Sequence, residues 1–174
     1  MILGLDISTS ITGFALIDEN LNLIYTDHID LRKVEGIFKK AKKVQEVLLE
    51  LKQNYPITNV IIEMPFTFFN SGGSSAKTMA ILQRFNGMIS WIVSESFSKD
   101  PDYIGASEAR KICSVKINRG ENTKEVVLKA VLDLYPNFEV EWTKQRNPKP
   151  GYHDRADGVI LARAGAIQCQ TQRN

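Results

Sequence analysis

The pattern of apolar residues changes period twice, at Lys33 and at Val60, and those changes restrict the fold more than any single residue does. Met1–Ser8 is apolar around Asp6, Ile11–Asp18 alternates, and Leu21–Leu31 alternates again after the turn Asp18-Glu19-Asn20. A period of two over short segments predicts three strands joined by tight turns, hence an antiparallel meander. From Lys33 to Asn54 the period becomes helical. Ile37, Phe38, Ala41, Val44, Leu48 and Leu51 make one stripe, Lys39, Lys40, Lys42 and Lys43 lie mostly off it, and Pro56 closes the segment. Val60-Ile61-Ile62, ending at Glu63 and Pro65, is continuous in its apolarity. Such a run fits a strand buried on both faces and parallel to a neighbour reached by a helical crossover.

Phe66–Ser75 holds aromatics, Asn70 and Ser71-Gly72-Gly73-Ser74-Ser75, and reads as a mobile loop. Lys77–Phe97 returns to helical spacing, with Met79, Leu82, Phe85, Met88 and Ile89 forming core or the seam of a dimer. Tyr103-Ile104 reads as a short fifth strand. Ser107–Cys113 and Thr123–Leu134 read as helices around the basic loop Ser114–Asn122, and Pro148-Lys149-Pro150-Gly151 breaks the chain before a last helix, His153–Ile167. The order predicts an α/β fold: a mixed five-stranded sheet, strands 1–3 antiparallel and strands 4–5 parallel, flanked by helices. No repeat, linker or low-complexity tract interrupts the 174 residues, so residues 1–174 are expected to form a single domain.

The charge is nearly balanced, 22 Lys+Arg against 20 Asp+Glu, so bulk charge makes no case for a nucleic-acid partner and the distribution must carry any such argument. Cys113 and Cys169 stand far apart with no Cys-x-x-Cys, which speaks against a zinc site or a disulfide framework and for a reduced, cytoplasmic setting. The apolar start carries Asp6 and lacks a basic leader, and no window approaches the roughly 18 apolar residues of a membrane span. A soluble protein that is not exported is the expectation.

Four carboxylates need an explanation. Asp6 sits inside an apolar strand on the face of Ile2 and Gly4, where an unpaired charge costs several kcal/mol. Glu63 ends the buried fourth strand, which a right-handed crossover places beside the first. Asp154 and Asp157, three apart in the first turn of the last helix, share one of its faces. Taken singly, the last pair could cap a helix and Glu63 could be a solvated strand end. As a set, clustered carboxylates stay ionised together only when divalent cations neutralise them. Oxygen ligands without His or Cys point to Mg²⁺ or Mn²⁺, and two such ions activate water and stabilise a leaving oxygen in phosphodiester hydrolysis.

The stretch Ile2-Leu3-Gly4-Leu5-Asp6-Ile7-Ser8-Thr9-Ser10-Ile11-Thr12-Gly13-Phe14-Ala15, with Ile61-Ile62-Glu63 and His153-Asp154-Arg155-Ala156-Asp157-Gly158, resembles the RuvC family of Holliday-junction resolvases. The motifs fall in the family's order over nearly the whole chain. The resemblance implies an RNase H-like fold, a homodimer, and Mg²⁺-dependent symmetric nicking of branched DNA. It implies catalytic and metal-holding roles for Asp6, Glu63, Asp154 and Asp157, with two Mg²⁺ ions for which Mn²⁺ substitutes. The family's aromatic at the branch point matches Phe66, with Phe68 and Phe69 as close competitors, and its basic residues after the fifth strand match Arg110 and Lys124. Arg155 departs from the family pattern, standing where a small residue is expected, and from there it could reach a phosphate. Whether helicase partners are bound is not legible in the sequence.

Arg110, Lys111, Lys116, Arg119 and Lys124 gather around one loop, and Phe66, Phe68, Phe69 and Lys77 flank the Gly/Ser-rich one. Backbone neutralisation and aromatic stacking make both candidate DNA-binding surfaces for a four-way junction, a three-way junction or a flap. The alternatives are an RNase H-like nuclease acting on RNA or an RNA–DNA hybrid, and a non-catalytic branched-DNA-binding module. A sugar-kinase or actin-like ATPase shares the Asp-x-x-Thr-Ser hairpin but needs a second domain.

Overall fold

The computed structural model describes residues 1–65 and 76–173. Its sheet is built of β1 (Ile2–Asp6), β2 (Ile11–Ile17), β3 (Leu23–Asp30), β4 (Asn59–Glu63) and β5 (Asp102–Ile104), in the order β3-β2-β1-β4-β5. β1, β2 and β3 run antiparallel in turn, and β4 lies parallel to both β1 and β5. This is the mixed sheet the periodicity predicts. The meander turns on Asp18, whose carboxylate accepts from the backbone N–H groups of Asn20 and Asn22, and on Thr12, whose hydroxyl donates to the Ser8 carbonyl across the β1–β2 turn.

Alternation along the central strands divides the core in two. Leu3, Leu5, Phe14, Leu16, Val60 and Ile62 face α1 (Ile37–Asn54) and α2 (Ala76–Phe97). Ile2, Ala15, Ile17, Ile61 and Ile104 face α3 (Ala106–Ile112), α4 (Thr123–Leu134) and α5 (Tyr152–Arg173). α4 begins where the Asn122 side chain accepts from the Lys124 N–H, meeting one of the unpaired donors of its first turn.

Two helix boundaries differ from the sequence reading by more than one residue. α1 starts at Ile37 and not Lys33, because Gly36 at φ 81° lies outside helical space. α5 runs past Ile167 to Arg173, and its polar tail is tied down where Gln170 donates to the Glu19 carbonyl. In the α2 stripe Phe85 and Ile89 are buried, Met79, Leu82 and Met88 are half-buried, and Trp91 is 64% exposed on the outer face. Among the described residues no helix is long and apolar enough to cross a membrane. Cys113 is a buried free thiol and Cys169 a half-buried one.

A carboxylate cluster at the strand ends

β1 and β4 are in register from Ile2 opposite Asn59 to Leu5 opposite Ile62, so one residue further Asp6 and Glu63 stand side by side at the carboxyl ends of two parallel strands. Both project to the α5 side, the face of Ile2, Ile61 and Ile104. Asp6 and Glu63 interact directly as two buried acids, and the contact raises Asp6 further. α5 brings the other pair. Asp6 is held well above the ordinary carboxylate range, first by burial and then by the charges of Asp157, Glu63 and Asp154. Burial, reinforced by Glu63, pushes Asp157 up to about 7, and burial also raises Glu63. The structure thus gathers the four predicted acids within mutual electrostatic reach.

That gathering depends on how closely α5 lies on the sheet. A side chain at Gly13 of β2 would run into the Asp154 carbonyl, and one at Gly4 of β1 would run into the α5 backbone at Gly158 and Ala162. From the helix, a Cβ at Gly158 would meet the Phe14 Cα at 2.9 Å. Backbone therefore rides on backbone, and larger residues at these positions would lift Asp154 and Asp157 away from Asp6. The entry to α5 is also fixed: Gly151, at φ 98°, leaves room for the His28 ring, which a Cβ would meet at 2.5 Å.

Two of the five predicted basic loop residues engage the cluster. The charges of Arg110 and Lys124 favour the ionised forms of Glu63 and Asp157, and Arg110 lines a small cleft with both. Lys111, Lys116 and Arg119 are exposed on the same part of the chain, with Lys116 lining a groove between the α3–α4 loop and α4, beside Lys129. Lys77 is exposed in the first turn of α2. Phe66, Phe68, Phe69 and the predicted Phe66–Ser75 loop lie outside the described residues.

Arg155 does not reach toward a phosphate. Its guanidinium lies over the rings of Tyr152 at 4.7 Å and Phe138 at 5.0 Å, and it favours the ionised form of Glu141, so it belongs to the packing beneath the entry of α5. Sequence reasoning misses Arg32. Its guanidinium grips Asp30 at 2.7 Å and is attracted by Asp154, which places it at the margin of the cluster. It also misses Asn86, buried on α2, whose amide donates to the Glu63 carbonyl at 3.4 Å. A lone buried amide on an apolar helical stripe is the signal that could have found it. Asn86, Asp6, Ser8, Glu63, Met79 and Leu82 line a cavity of about 210 Å³ beside the acids.

Buried, all-oxygen donors of one charge sign suit a hard divalent cation. Among the described residues, however, no three His, Cys, Asp or Glu side chains are drawn close enough to enclose an ion as they stand. Coordination would require the side chains to close in. The donor chemistry fits a cation.

No protein-family model matches the chain. A crossover junction endodeoxyribonuclease RuvC of Christiangramia forsetii is 32% identical over 91 residues, 51% of this chain and 45% of that protein, so the likeness spans less than half the length of that relative. Among solved structures, T. thermophilus RuvC in complex with a Holliday junction substrate superposes with a TM-score of 0.70 at 14% identity, covering 98% of this chain and 94% of that one. The yeast mitochondrial Holliday junction resolvase Ydc2 gives 0.60 at 15%, covering 99% and 80%. The fold is that of these proteins, RNase H-like in its mixed five-stranded sheet and flanking helices.

Proposed function

We infer that this chain, RuvC-like in sequence and in fold, is a structure-selective DNA endonuclease that nicks Holliday junctions and related branched DNA, with residues 1–174 as one nuclease unit. One observation carries the reading. Buried like charges from β1, β4 and α5 face each other beside Arg110 and Lys124, an arrangement costly to a fold and suited to holding cations against a phosphodiester.

Asp6, Glu63, Asp154 and Asp157 would hold the divalent ions, which we take to be two Mg²⁺ with Mn²⁺ as a substitute. When bound, such ions supply an activated water and charge stabilisation for the oxygen that leaves phosphorus. The chain's own groups do the rest. Burial raises both Asp6 and Glu63, so loading would be easier at higher pH, where the carboxyls are ionised. Arg110 and Lys124 offset the negative charge of the acids and would neutralise backbone phosphate brought to the site. Gly13 and Gly158 keep Asp154 and Asp157 at a fixed height over β2. Phe66, Phe68 or Phe69 would meet unpaired bases at the branch point.

A junction has two-fold character, and a homodimer would present two sites to two opposed strands. The exposed Trp91 on the outer face of α2, with Ala80 and Gly87 also exposed there, supports that helix as the seam. The absence of a membrane-spanning helix among the described residues is compatible with a cytoplasmic location.

The test is a nicking assay on a synthetic four-way junction, a matched linear duplex and an RNA–DNA hybrid, each with Mg²⁺, Mn²⁺ or EDTA, beside Glu63→Gln. Metal-dependent cutting of the junction that Glu63→Gln abolishes supports the reading. Cutting of the hybrid alone would reassign the chain to RNA, and binding without cutting would make it a recognition module.

A further inference from the structure

α1 carries its charges in an order that helix stability does not explain. Six of the twelve residues from 32 to 43 are Lys or Arg, with Glu35 the only acid among them. Four of the six, Lys39, Lys40, Lys42 and Lys43, crowd into the first two turns of α1, whose first turn has no acidic residue. The positive end of the helix dipole disfavours cations there, and like charges at i, i+3 and i, i+4 disfavour the helix further. Glu46, one turn beyond, is the first acid along that ridge.

Three of these cations have structural work: Arg32 holds Asp30 at 2.7 Å, and two lysines reach backbone carbonyls. Lys40 donates to the Thr9 carbonyl in the β1–β2 turn, and Lys43 donates to the Asp30 carbonyl at 2.9 Å. Lys33, Lys39 and Lys42 are exposed, and among the described residues none of them pairs with a carboxylate. Beside them Phe38 is 77% exposed, an aromatic ring left in water at the start of a helix whose other face is well buried. The strip has a direction. Through Lys40 it abuts the turn that follows Asp6, and Arg32 lies within electrostatic reach of Asp154 at the start of α5. Its near end is the carboxylate cluster, and it lies on a different element from Arg110 and Lys124.

We propose that this strip, Arg32 and Lys33 followed by the ridge of Lys39, Lys42 and Lys43, is a track for the phosphodiester backbone of a DNA arm leaving the carboxylate cluster. The proposal rests on the endonuclease reading and adds to it a second binding surface. Cations along one strip complement a polyanion, Lys33, Lys39 and Lys42 having no carboxylate partner among the described residues, and successive phosphates release counterions as each lysine replaces them. Phe38 supplies apolar contact to sugars or to a base at the frayed end of that arm.

The experiment is equilibrium binding of a four-way junction without divalent metal, across a series of salt concentrations, by Lys39→Ala/Lys42→Ala and by Lys99→Ala. Lys99 lies beside Asn59, at the opposite end of β4 from Glu63. The double variant is expected to bind about tenfold more weakly at low salt. The slope of log K against log salt should become shallower by about 1 to 2, near 0.9 for each phosphate that a lysine no longer neutralises. Its thermal midpoint should equal or exceed the parent's, because like charges have been removed. Lys99→Ala should keep the parent's slope. A double variant that folds and binds with the parent's affinity and slope overturns the track while leaving the endonuclease reading standing. A parent that binds no junction at all brings down both.

Discussion

Asp157→Asn should make the metal-free protein more stable, and the pH dependence of that gain is the sharpest test of the site. In the fold the Asp157 carboxyl is pushed from its ordinary value of 3.8 up to about 7, by burial first and then by the charge of Glu63. Below 3.8 the folded and unfolded chains both keep the proton, and the residue contributes no pH dependence. Between 3.8 and about 7 the folded chain holds a proton that the unfolded chain has released, so stability falls as pH rises, and above 7 the whole cost is present. At about 1.4 kcal/mol per pH unit the ceiling is on the order of 4 kcal/mol. Part of the elevation reflects acids that share protons with Asp157, so roughly 2 kcal/mol is the working figure. For a chain of this size that is a gain of about 4–8 °C. Melting curves in EDTA should therefore separate variant from parent at about pH 8 and bring them together near pH 4. Saturating Mg²⁺ should raise the parent and close the gap. A variant that melts with or below the parent at the higher pH in EDTA would refute the claim that the charge of Asp157 is a burden in the empty site.

Gly13→Ala should cost about 1–3 kcal/mol, because its Cβ has no space beneath the Asp154 carbonyl, and a chemical denaturation midpoint lowered without a change in slope would record it. Arg155→Lys should lose about 1 kcal/mol of stability with the two aromatic faces it covers, while junction affinity and its salt dependence stay at parental values; weaker binding with unchanged stability would restore a phosphate-binding role. Arg110→Ala should reduce junction nicking by about tenfold or more with a smaller effect on affinity, in keeping with a charge set against the acids and not on the open surface. Trp91→Glu, which puts a charge where an exposed indole stands, should shift the mass in light scattering from two chains to one, and an unchanged mass would remove α2 as the seam.

The fold was legible because each element declares its period. Val60–Ile62 is a continuous apolar run, β3 mixes buried with exposed positions and α1 repeats its apolar residues at helical spacing, whereas β2, read as alternating, is buried along its whole length. The boundaries that shifted lie where periodicity has little to say: Gly36, whose backbone angle decides where α1 can begin, and the polar tail of α5, held by one amide to Glu19. The four acids were readable because a carboxylate in an apolar strand is conspicuous. The glycines that let α5 descend onto β1 and β2 were not, since a close approach becomes visible only when both partners are placed. Arg155 shows the opposite hazard. Lying between two acids in sequence, it lies against aromatic rings in space, because one residue along a helix is a rotation of about 100°.

The cluster draws on β1 and β4 near one end of the sequence and on α5 roughly ninety residues after Glu63. At about 5–20 residues per second of synthesis, some 5–20 s separate the emergence of the first two acids from that of the second two. During that interval the growing polypeptide carries half a centre, however much of the meander has already formed. The arrival of α5 thus sets the moment at which the four acids can first meet. A chain broken off before Tyr152 would hold Asp6 and Glu63 without their two partners.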